Sequence, residues 1–202
     1  MARTRPSRRA ARGRSAPAGP RARMFVALDL PEPARSAVAA WRDQLVSGRS
    51  DLRPVAPEAL HVTLAFLAWQ DEGEAERIAE AAFEAGRAVG RPRLTAIGVR
   101  PLPPRGPRLF ALDLADEGGR AVQLQAAVSD ALEAGRWYRP EKRPFWPHVT
   151  LARVKRGERA APLPDIDPPS EPFEAAELTL YRSTLRPQGA LYERLARVTL
   201  PS

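Results

Sequence analysis

The tetrapeptide His-Val-Thr-Leu occurs twice in this chain of 202 residues, and its two copies contain both of the histidines. One copy begins at His61 and the other at His148. A similar apolar run precedes each copy: Phe25 lies 36 residues before His61, and Phe110 lies 38 residues before His148. The order of apolar run, amphipathic stretch and His-x-Thr motif therefore recurs at nearly constant spacing. Such internal repetition predicts a fold with two similar halves.

Hydrophobic periodicity predicts a mixture of strands and helices. Short apolar or alternating runs predict strands at 24–30, 61–67, 94–99, 109–114, 148–154, 177–182 and 191–200. Apolar residues at helical spacing predict helices over 32–47, over 117–134 and in a segment that starts with a capping box at Asp71 and Glu74. The proline-rich stretches 101–107 and 157–172 are predicted as a turn and a surface loop. The expected class is α+β, with antiparallel-rich sheets and helices packed on their outer faces.

The composition excludes several kinds of chemistry and of processing. The chain has no cysteine, which excludes disulfides, zinc–thiolate sites and thiol nucleophiles. It has no asparagine, which excludes N-glycosylation. No apolar stretch is long enough to cross a bilayer, and no apolar segment follows the basic N terminus as in a secretory signal. We therefore expect a cytoplasmic protein without a membrane partner.

The net charge of +8 comes entirely from the first 23 residues. They contain eight arginines and no acid, so the remainder holds 24 basic and 24 acidic side chains. This segment also lacks a hydrophobic period, which predicts a disordered tail over 1–23. The recurring order of strand, helix and motif predicts a single domain over 24–202, with pseudo-repeats at about 24–100 and 108–200. The tail is either a dispensable extension, with Met24 as an alternative start, or an arm that binds nucleic acid by neutralising phosphates.

The alternation of a strand places the polar residues of each motif on one face. His61 and Thr63 share a face, as do His148 and Thr150, while the intervening aliphatic residues point to the core. If the halves are related by pseudo-symmetry, two imidazoles and two hydroxyls meet in one pocket. One imidazole can accept a proton while the other donates one. The hydroxyls can hold the non-bridging oxygens of a phosphate, which predicts phosphoester chemistry.

Other candidate residues lie near the motifs. Arg153 follows His148 on the same strand and could stabilise negative charge, but simple alternation puts it on the opposite face unless the strand bends or bulges. Phe25 either packs in the core or lines the cleft and stacks on a base. Four residues near strand ends are weaker candidates for substrate contact: Trp146, Tyr181, Arg182 and Ser183.

The paired motifs resemble those of the two-histidine phosphoesterase superfamily. More specifically, the chain resembles the bacterial and archaeal RNA 2′,3′-cyclic phosphodiesterases of this superfamily, historically called 2′-5′ RNA ligases. The resemblance spans about residues 23–200 and includes three flanking blocks: Arg-Met-Phe-Val-Ala-Leu-Asp-Leu-Pro, Pro-His-Val-Thr-Leu-Ala-Arg and Glu-Leu-Thr-Leu-Tyr-Arg-Ser. The arginine-rich tail has no counterpart in that pattern.

This resemblance implies a bilobal, pseudo-symmetric fold whose central cleft holds both motifs and needs no metal or cofactor. It implies hydrolysis of a terminal 2′,3′-cyclic phosphate to a 2′-phosphomonoester, with His61 as proton donor and His148 as proton acceptor. Reverse 2′-5′ ligation without ATP is possible in the same site. The implied partner is RNA or an oligonucleotide with a cyclic phosphate end, for which tRNA fragments are one candidate, and the expected state is a monomer.

Two alternatives stay open at this point. One is a non-catalytic module that binds a nucleotide or an RNA 2′-phosphate, and the other is a phosphodiesterase for another small cyclic phosphate or for 2′-5′ linkages. Other enzyme classes are disfavoured because the chain has no Gly-x-Ser-x-Gly elbow, no His-Glu-x-x-His motif and no glycine-rich nucleotide loop. No carboxylate cluster accompanies either histidine, so a metal site is not expected.

Overall fold

Antiparallel strands form one continuous sheet in the part of the chain that the structure describes. The computed structural model describes residues 19–186 and 189–202. The strands are β1 (Arg21–Asp29), β2 (Leu52–Pro54), β3 (His61–Asp71), β4 (Arg93–Leu102), β5 (Leu109–Asp116), β6 (His148–Val154), β7 (Phe173–Glu174), β8 (Glu177–Arg186) and β9 (Gly189–Thr199). The order across the sheet is β7-β4-β5-β6-β3-β1-β8-β9, and β2 pairs with β6. The predicted α+β class is confirmed.

Within the described residues, three α-helices complete the fold: α1 (Glu32–Leu45), α2 (Ala75–Val89) and α3 (Arg120–Ala134). Short 3-10 turns cover Pro57–Ala59, Glu72–Glu74 and Glu117–Gly119. The predicted helices at 32–47 and 117–134 are confirmed to within a few residues, and 157–172 forms no helix or strand, as predicted. No helix within 19–186 and 189–202 is long and apolar enough to span a membrane.

The start of α2 differs from the predicted capping box. The Asp71 carboxylate accepts a hydrogen bond from the Gly73 amide at 2.9 Å, but it caps the short 3-10 turn, and α2 begins only at Ala75. The Glu74 side chain does not return to the backbone as a capping box requires. It accepts a hydrogen bond from Trp137 Nε1 at 2.9 Å instead. The contact with Trp137 and an ion pair with Arg77 at 2.9 Å thus take the place of the bond to the backbone.

The main core lies between the helices and one face of the sheet. Its helical part includes the buried stripe of α1, formed by Val38, Trp41 and Leu45, together with buried residues of α2 and α3. Gly86 on α2 permits a close approach to the sheet, because a Cβ atom there would lie 2.7 Å from Leu178 Cδ2. Burial of this apolar face stabilises the fold and leaves the other face of the sheet available for a site.

The sheet order reveals a pseudo-symmetry centred on β3 and β6. Moving outward from this centre, β1 flanks β3 and its sequence echo β5 flanks β6. The outer strands are exchanged between the halves. Strand β4 belongs to the first sequence repeat but pairs with β5 of the second, whereas β8 and β9 belong to the second repeat but lie on the side of β1. The sequence repeats at about 24–100 and 108–200 therefore do not coincide with the two halves of the sheet.

The first strand begins earlier than the sequence predicts. Residues 21–23, which were assigned to the tail, belong to β1 and pair with residues 69–71 of β3. The tail prediction was therefore wrong for these three residues, because a polar strand end held by long-range pairing carries no hydrophobic signal. Of the rest of the predicted tail, residues 19 and 20 precede β1 and the Pro20 carbonyl accepts a hydrogen bond from the Glu72 amide at 2.8 Å, whereas residues 1–18 lie outside the described residues.

Candidate active site

The polar residues of the two motifs lie on one face of the sheet, where β3 meets β6. These antiparallel strands pair through Val62 and Val149, whose side chains are 1% and 0% exposed. Neighbours of a paired residue point to the opposite face of the sheet. The motif histidines and threonines therefore share the face that points away from the helices, and all four are partly exposed there.

Continuing this register places each imidazole opposite the hydroxyl of the other motif. His61 lies across from Thr150, and Thr63 lies across from His148, one step to either side of the valine pair. Directly opposite residues on antiparallel strands have Cβ atoms about 5 Å apart. The junction of the two strands thus brings together two imidazoles and two hydroxyls, as the alternation of the motifs predicted.

Backbone carbonyls hold both imidazoles in the same way. His61 Nδ1 lies 2.8 Å from the Ala59 carbonyl oxygen, and His148 Nδ1 lies 2.8 Å from the Trp146 carbonyl oxygen. A carbonyl only accepts, so each Nδ1 carries a hydrogen and donates it. In a neutral ring Nε2 is then the acceptor, and His61 Nε2 lies 3.1 Å from Thr63 Oγ1. This arrangement leaves Nε2 as the nitrogen that can exchange a proton.

A cleft of about 400 Å³ adjoins this group. Its walls include three predicted residues of the motifs, His61, Thr63 and Thr150. His148 is not part of the wall but lies beside it, against Trp146, with ring centroids 4.2 Å apart. The charge of His148 is one of the causes that lower the pKa of His61.

Four arginines also line the cleft: Arg23, Arg53, Arg153 and Arg186. Strand β6 is irregular near Arg153, because its pairing with β5 skips Leu151 between Thr150 and Ala152. This bulge returns Arg153 to the face of the motif residues. The other three were not predicted from the sequence, and they reach the cleft from β1, β2 and β8.

An aromatic cluster surrounds the His61 ring. The ring centroid lies 4.9 Å from that of Phe25, 5.3 Å from Tyr192 and 6.1 Å from Tyr181. Phe25 is 3% exposed and packs with Tyr181 in a small cluster apart from the main core. It lines the cleft but offers little surface to a base, and its ring contacts are His61, Tyr192 and Tyr181. Tyr192 was not identified from the sequence.

Each motif histidine has an aspartate opposite it on the neighbouring strand, and each aspartate binds an aromatic side chain near the imidazole. Asp29 on β1 pairs with His61, and Asp113 on β5 pairs with His148. Asp29 accepts a hydrogen bond from the Tyr181 hydroxyl at 2.7 Å, and Asp113 accepts one from Trp146 Nε1 at 2.5 Å.

Both donors are aromatic residues near the histidine of their half. Trp146 stacks directly on His148, with ring centroids 4.2 Å apart, whereas the Tyr181 centroid is 6.1 Å from that of His61 and Phe25 lies closer, at 4.9 Å. The repeated Leu-Asp-Leu of the two apolar runs therefore holds one aromatic side chain near each imidazole. Burial raises the pKa of Tyr181 to about 12, and its hydrogen bond to Asp29 acts in the same direction, so this phenol stays neutral.

Burial lowers the pKa of His61 to about 4. The hydrogen bond to the Ala59 carbonyl opposes this shift, whereas the positive charges of His148 and Arg153 lower the pKa further. His61 is therefore neutral near pH 7 when the cleft is empty. An anion in the cleft would favour the protonated form, because it would offset the arginines and replace part of the lost solvation.

The four weaker candidates differ in their position relative to the cleft. Ser183 lines the cleft, and Trp146 and Tyr181 contact the histidines without being part of the cleft wall. Arg182 points elsewhere and forms ion pairs with Glu72 and Glu193 at 2.8 and 3.5 Å. Across 19–186 and 189–202, no three His, Asp or Glu side chains lie close enough together to hold a metal ion.

Comparison with known proteins decides the family. A sequence profile of the 2′-5′ RNA ligase superfamily matches residues 30–186. The chain belongs to the 2′-5′ RNA ligase superfamily. Curated relatives in this superfamily include proteins named RNA 2′,3′-cyclic phosphodiesterase from Thermus thermophilus and Escherichia coli. The former is 33% identical over 88% of this chain and 90% of the relative, and the latter is 32% identical over 88% and 96%.

Solved structures of the superfamily share the fold. Escherichia coli LigT in its apo form superposes with a TM-score of 0.71 and 27% identity, over 91% of this chain and all of that one. TT0787 of Thermus thermophilus superposes with a TM-score of 0.68 and 31% identity, over 88% and 97%. Structures of LigT with 3′-AMP and with phosphate are also similar. The expected bilobal phosphoesterase fold is thereby confirmed.

Proposed function

We propose that this protein is a phosphodiesterase that hydrolyses a terminal 2′,3′-cyclic phosphate of RNA to a 2′-phosphomonoester. The observation that carries this proposal is the group of two imidazoles and two hydroxyls across the Val62–Val149 pair, beside a cleft lined by arginines. A phosphate between the hydroxyls would have an imidazole on either side. The names of the relatives support the same substrate class.

The reaction needs one proton acceptor and one proton donor. An imidazole Nε2 takes a proton from water, whose oxygen attacks phosphorus in line with the departing 3′ oxygen. The other imidazole gives a proton to that oxygen as the P–O3′ bond breaks. The products are a 2′-phosphomonoester and a 3′-hydroxyl. Thr63, Thr150 and Arg153 stabilise the charge that develops on the non-bridging oxygens.

The resemblance assigns the donor role to His61 and the acceptor role to His148. Because the pKa of His61 is about 4 in the empty cleft, this assignment requires His61 to gain a proton as the anionic substrate binds. The arginines alone would oppose that uptake, and the phosphate reverses their effect. If a 5′-hydroxyl takes the place of water, the same transfer forms a 2′-5′ linkage. It needs no ATP because one phosphoester bond replaces another.

The proposal is tested with the full chain and cytidine 2′,3′-cyclic phosphate in EDTA, with the product identified by phosphorus NMR. We expect cytidine 2′-phosphate from the wild type. Loss of a general acid or base typically costs between a hundredfold and ten-thousandfold in rate, so His61→Ala and His148→Ala should each lower kcat by about that much. Thr150→Ala should also lower kcat.

A matched control is Thr95→Ala on β4, because this threonine does not line the cleft. It should leave kcat unchanged. Binding of the cyclic nucleotide without turnover would show that the protein is a binding module rather than an enzyme. A 3′-phosphate product would show that the other oxygen departs, and equal activity of the histidine variants and the wild type would refute the mechanism.

A further inference from the structure

A second, larger groove adjoins the active cleft. It has a volume of about 1150 Å³ and shares Arg53 with the cleft. Five cationic side chains and one carboxylate line it: Arg53, Arg108, Lys155, Arg156, Arg159 and Glu158. We call this surface the basic groove. It is formed by the turn that precedes β5 and by the loop that follows β6, so it begins where the strand of the second motif ends.

The charge of this region is not a general property of the molecule. The cleft and the basic groove together are lined by eight cations and one carboxylate. The chain beyond residue 23 contains equal numbers of basic and acidic residues. Across the residues that the structure describes, the exposed side chains Arg108, Arg156 and Arg159 form no ion pair with an acid, whereas Lys155 lies near Asp51 and helps to lower the pKa of that carboxyl. The positive charge is therefore concentrated here and is available to an anion.

The pairing of the strands connects the groove to the reacting atoms. Arg53 on β2 pairs directly with Arg153 on β6, and Leu109 pairs with the other side of Arg153. Further along, the Val154 amide donates to the Arg108 carbonyl at 2.9 Å and the Lys155 amide donates to the Asp51 carbonyl at 2.9 Å. A strand rises about 3.3 Å per residue, so Lys155 lies roughly 15 Å beyond Thr150. A stacked strand of nucleic acid rises about 3.4 Å per nucleotide, which makes this distance about four nucleotides.

We propose that the basic groove binds the sugar–phosphate backbone of an RNA strand whose cyclic phosphate end lies in the active cleft. This inference rests on the function proposed above and makes the substrate an oligonucleotide rather than a free nucleotide. The strand leaves the cleft past Arg53 and follows the cations outward. No aromatic side chain lines the described part of the groove, so the groove contacts phosphates and does not read bases.

The test compares two substrates that share one reacting end. These are cytidine 2′,3′-cyclic phosphate and an eight-nucleotide RNA that ends in the same cyclic phosphate. The variant is the full chain with Arg156→Gln and Arg159→Gln. The matched control carries Arg87→Gln and Arg120→Gln on α2 and α3, which removes the same charge from exposed positions away from the groove. Thermal unfolding verifies that both variants are folded.

We expect the groove variant to lose about tenfold or more in kcat/KM on the octanucleotide, because hydrogen bonds to charged groups contribute about that much each. Turnover of the mononucleotide should stay within about twofold of the wild type. Each lost phosphate contact on a single strand lowers the salt slope of log Kd by about 0.7, so the slope should fall by about 1.4. The control should match the wild type in all three measurements.

Three results would overturn the inference: an unchanged octanucleotide reaction in the groove variant, an equal loss in the control, or an equal loss on the mononucleotide. Fluorescence anisotropy with the labelled octanucleotide measures binding without turnover. If the wild type hydrolyses neither substrate, the proposed function fails, and the binding of the RNA to the groove variant still decides whether the groove contacts RNA.

Discussion

Burial of the His61 ring couples the stability of the fold to pH. In the unfolded chain its pKa is the ordinary histidine value of about 6.5, whereas in the folded protein it is about 4. Between these values the unfolded state binds more protons. The free energy of unfolding therefore falls as pH decreases from about 6.5 to about 4, by roughly 3 kcal/mol in total, and this contribution is fully present above pH 6.5.

We expect this dependence to disappear when the ring cannot titrate. Denaturant unfolding of the wild type and of His61→Gln, at several pH values between 4 and 7, measures the difference in slope directly. The slope of the variant should be flatter, whatever its stability at pH 7. Identical slopes would show that the folded protein leaves the pKa of His61 near its ordinary value.

At the scale of residues, the sequence predicted the polar pairs but not their surroundings. Two-residue alternation suffices to place Thr63 beside His61, because the period of a strand is local. Tyr192 and Arg53 reach the cleft through β9 and β2, whose positions depend on pairing with distant strands. Neither residue lies in a repeated motif, so the sequence carried no signal for them.

The two echoed strands β1 and β5 do more than fill the core. Each carries an aspartate opposite the motif histidine, and each aspartate accepts a hydrogen bond from an aromatic residue near that histidine. On β5 this residue is Trp146, which stacks directly on His148. For β5 we expect Asp113→Ala to release Trp146 and lower kcat by about tenfold to a hundredfold with little change in KM, because misplacement of a catalytic group acts on the chemical step. Asp113→Asn should recover much of the loss, since its amide oxygen still accepts the indole N–H.

The positioning role has a signature that lost stability alone would not produce. In the background of His148→Ala, the further change Asp113→Ala should lower kcat little more, because the residue to be positioned is gone. Additive losses in this double-mutant cycle would show that Asp113 does not act through His148. A loss confined to KM would place the aspartate in substrate binding instead.

Element by element, long apolar runs were the most predictable part of the fold. The strands that contain the motifs begin at the predicted residues, His61 and His148. Strands β2 and β7 were missed, since three and two residues cannot display a period. The bulge in β6 was anticipated only because Arg153 would otherwise face away from the cleft. A functional constraint, rather than a turn signal, indicated that local irregularity.

The exchange of outer strands makes the molecule more than two joined repeats. Because β4 belongs to the half that contains the second motif, and β8 and β9 belong to the half that contains the first, neither sequence repeat can complete its own half. No repeat in the sequence indicates this exchange, since it arises from pairings between residues far apart along the chain. The two motifs are thereby held in one continuous sheet.

The N-terminal end of that sheet gives the last prediction, which concerns the whole molecule. Removal of residues 1–18 should leave both the melting temperature and the turnover of cytidine 2′,3′-cyclic phosphate unchanged. Removal of residues 1–23 should lower both. The longer deletion takes away the Pro20 carbonyl that accepts from the Glu72 amide, three residues of β1 and the cleft-lining Arg23. A loss of about 2 kcal/mol corresponds to roughly 5 °C for a protein of this size.

Scanning calorimetry and the nucleotide assay compare the two deletions with the full chain. Equal behaviour of both deletions would show that the start of β1 contributes nothing to the fold or to the cleft. Loss of nucleotide turnover on removal of 1–18 alone would make that segment part of the catalytic machinery. A selective loss of octanucleotide binding would instead extend the RNA contact beyond the basic groove, because eight arginines precede Met24 and six of them lie within residues 1–18.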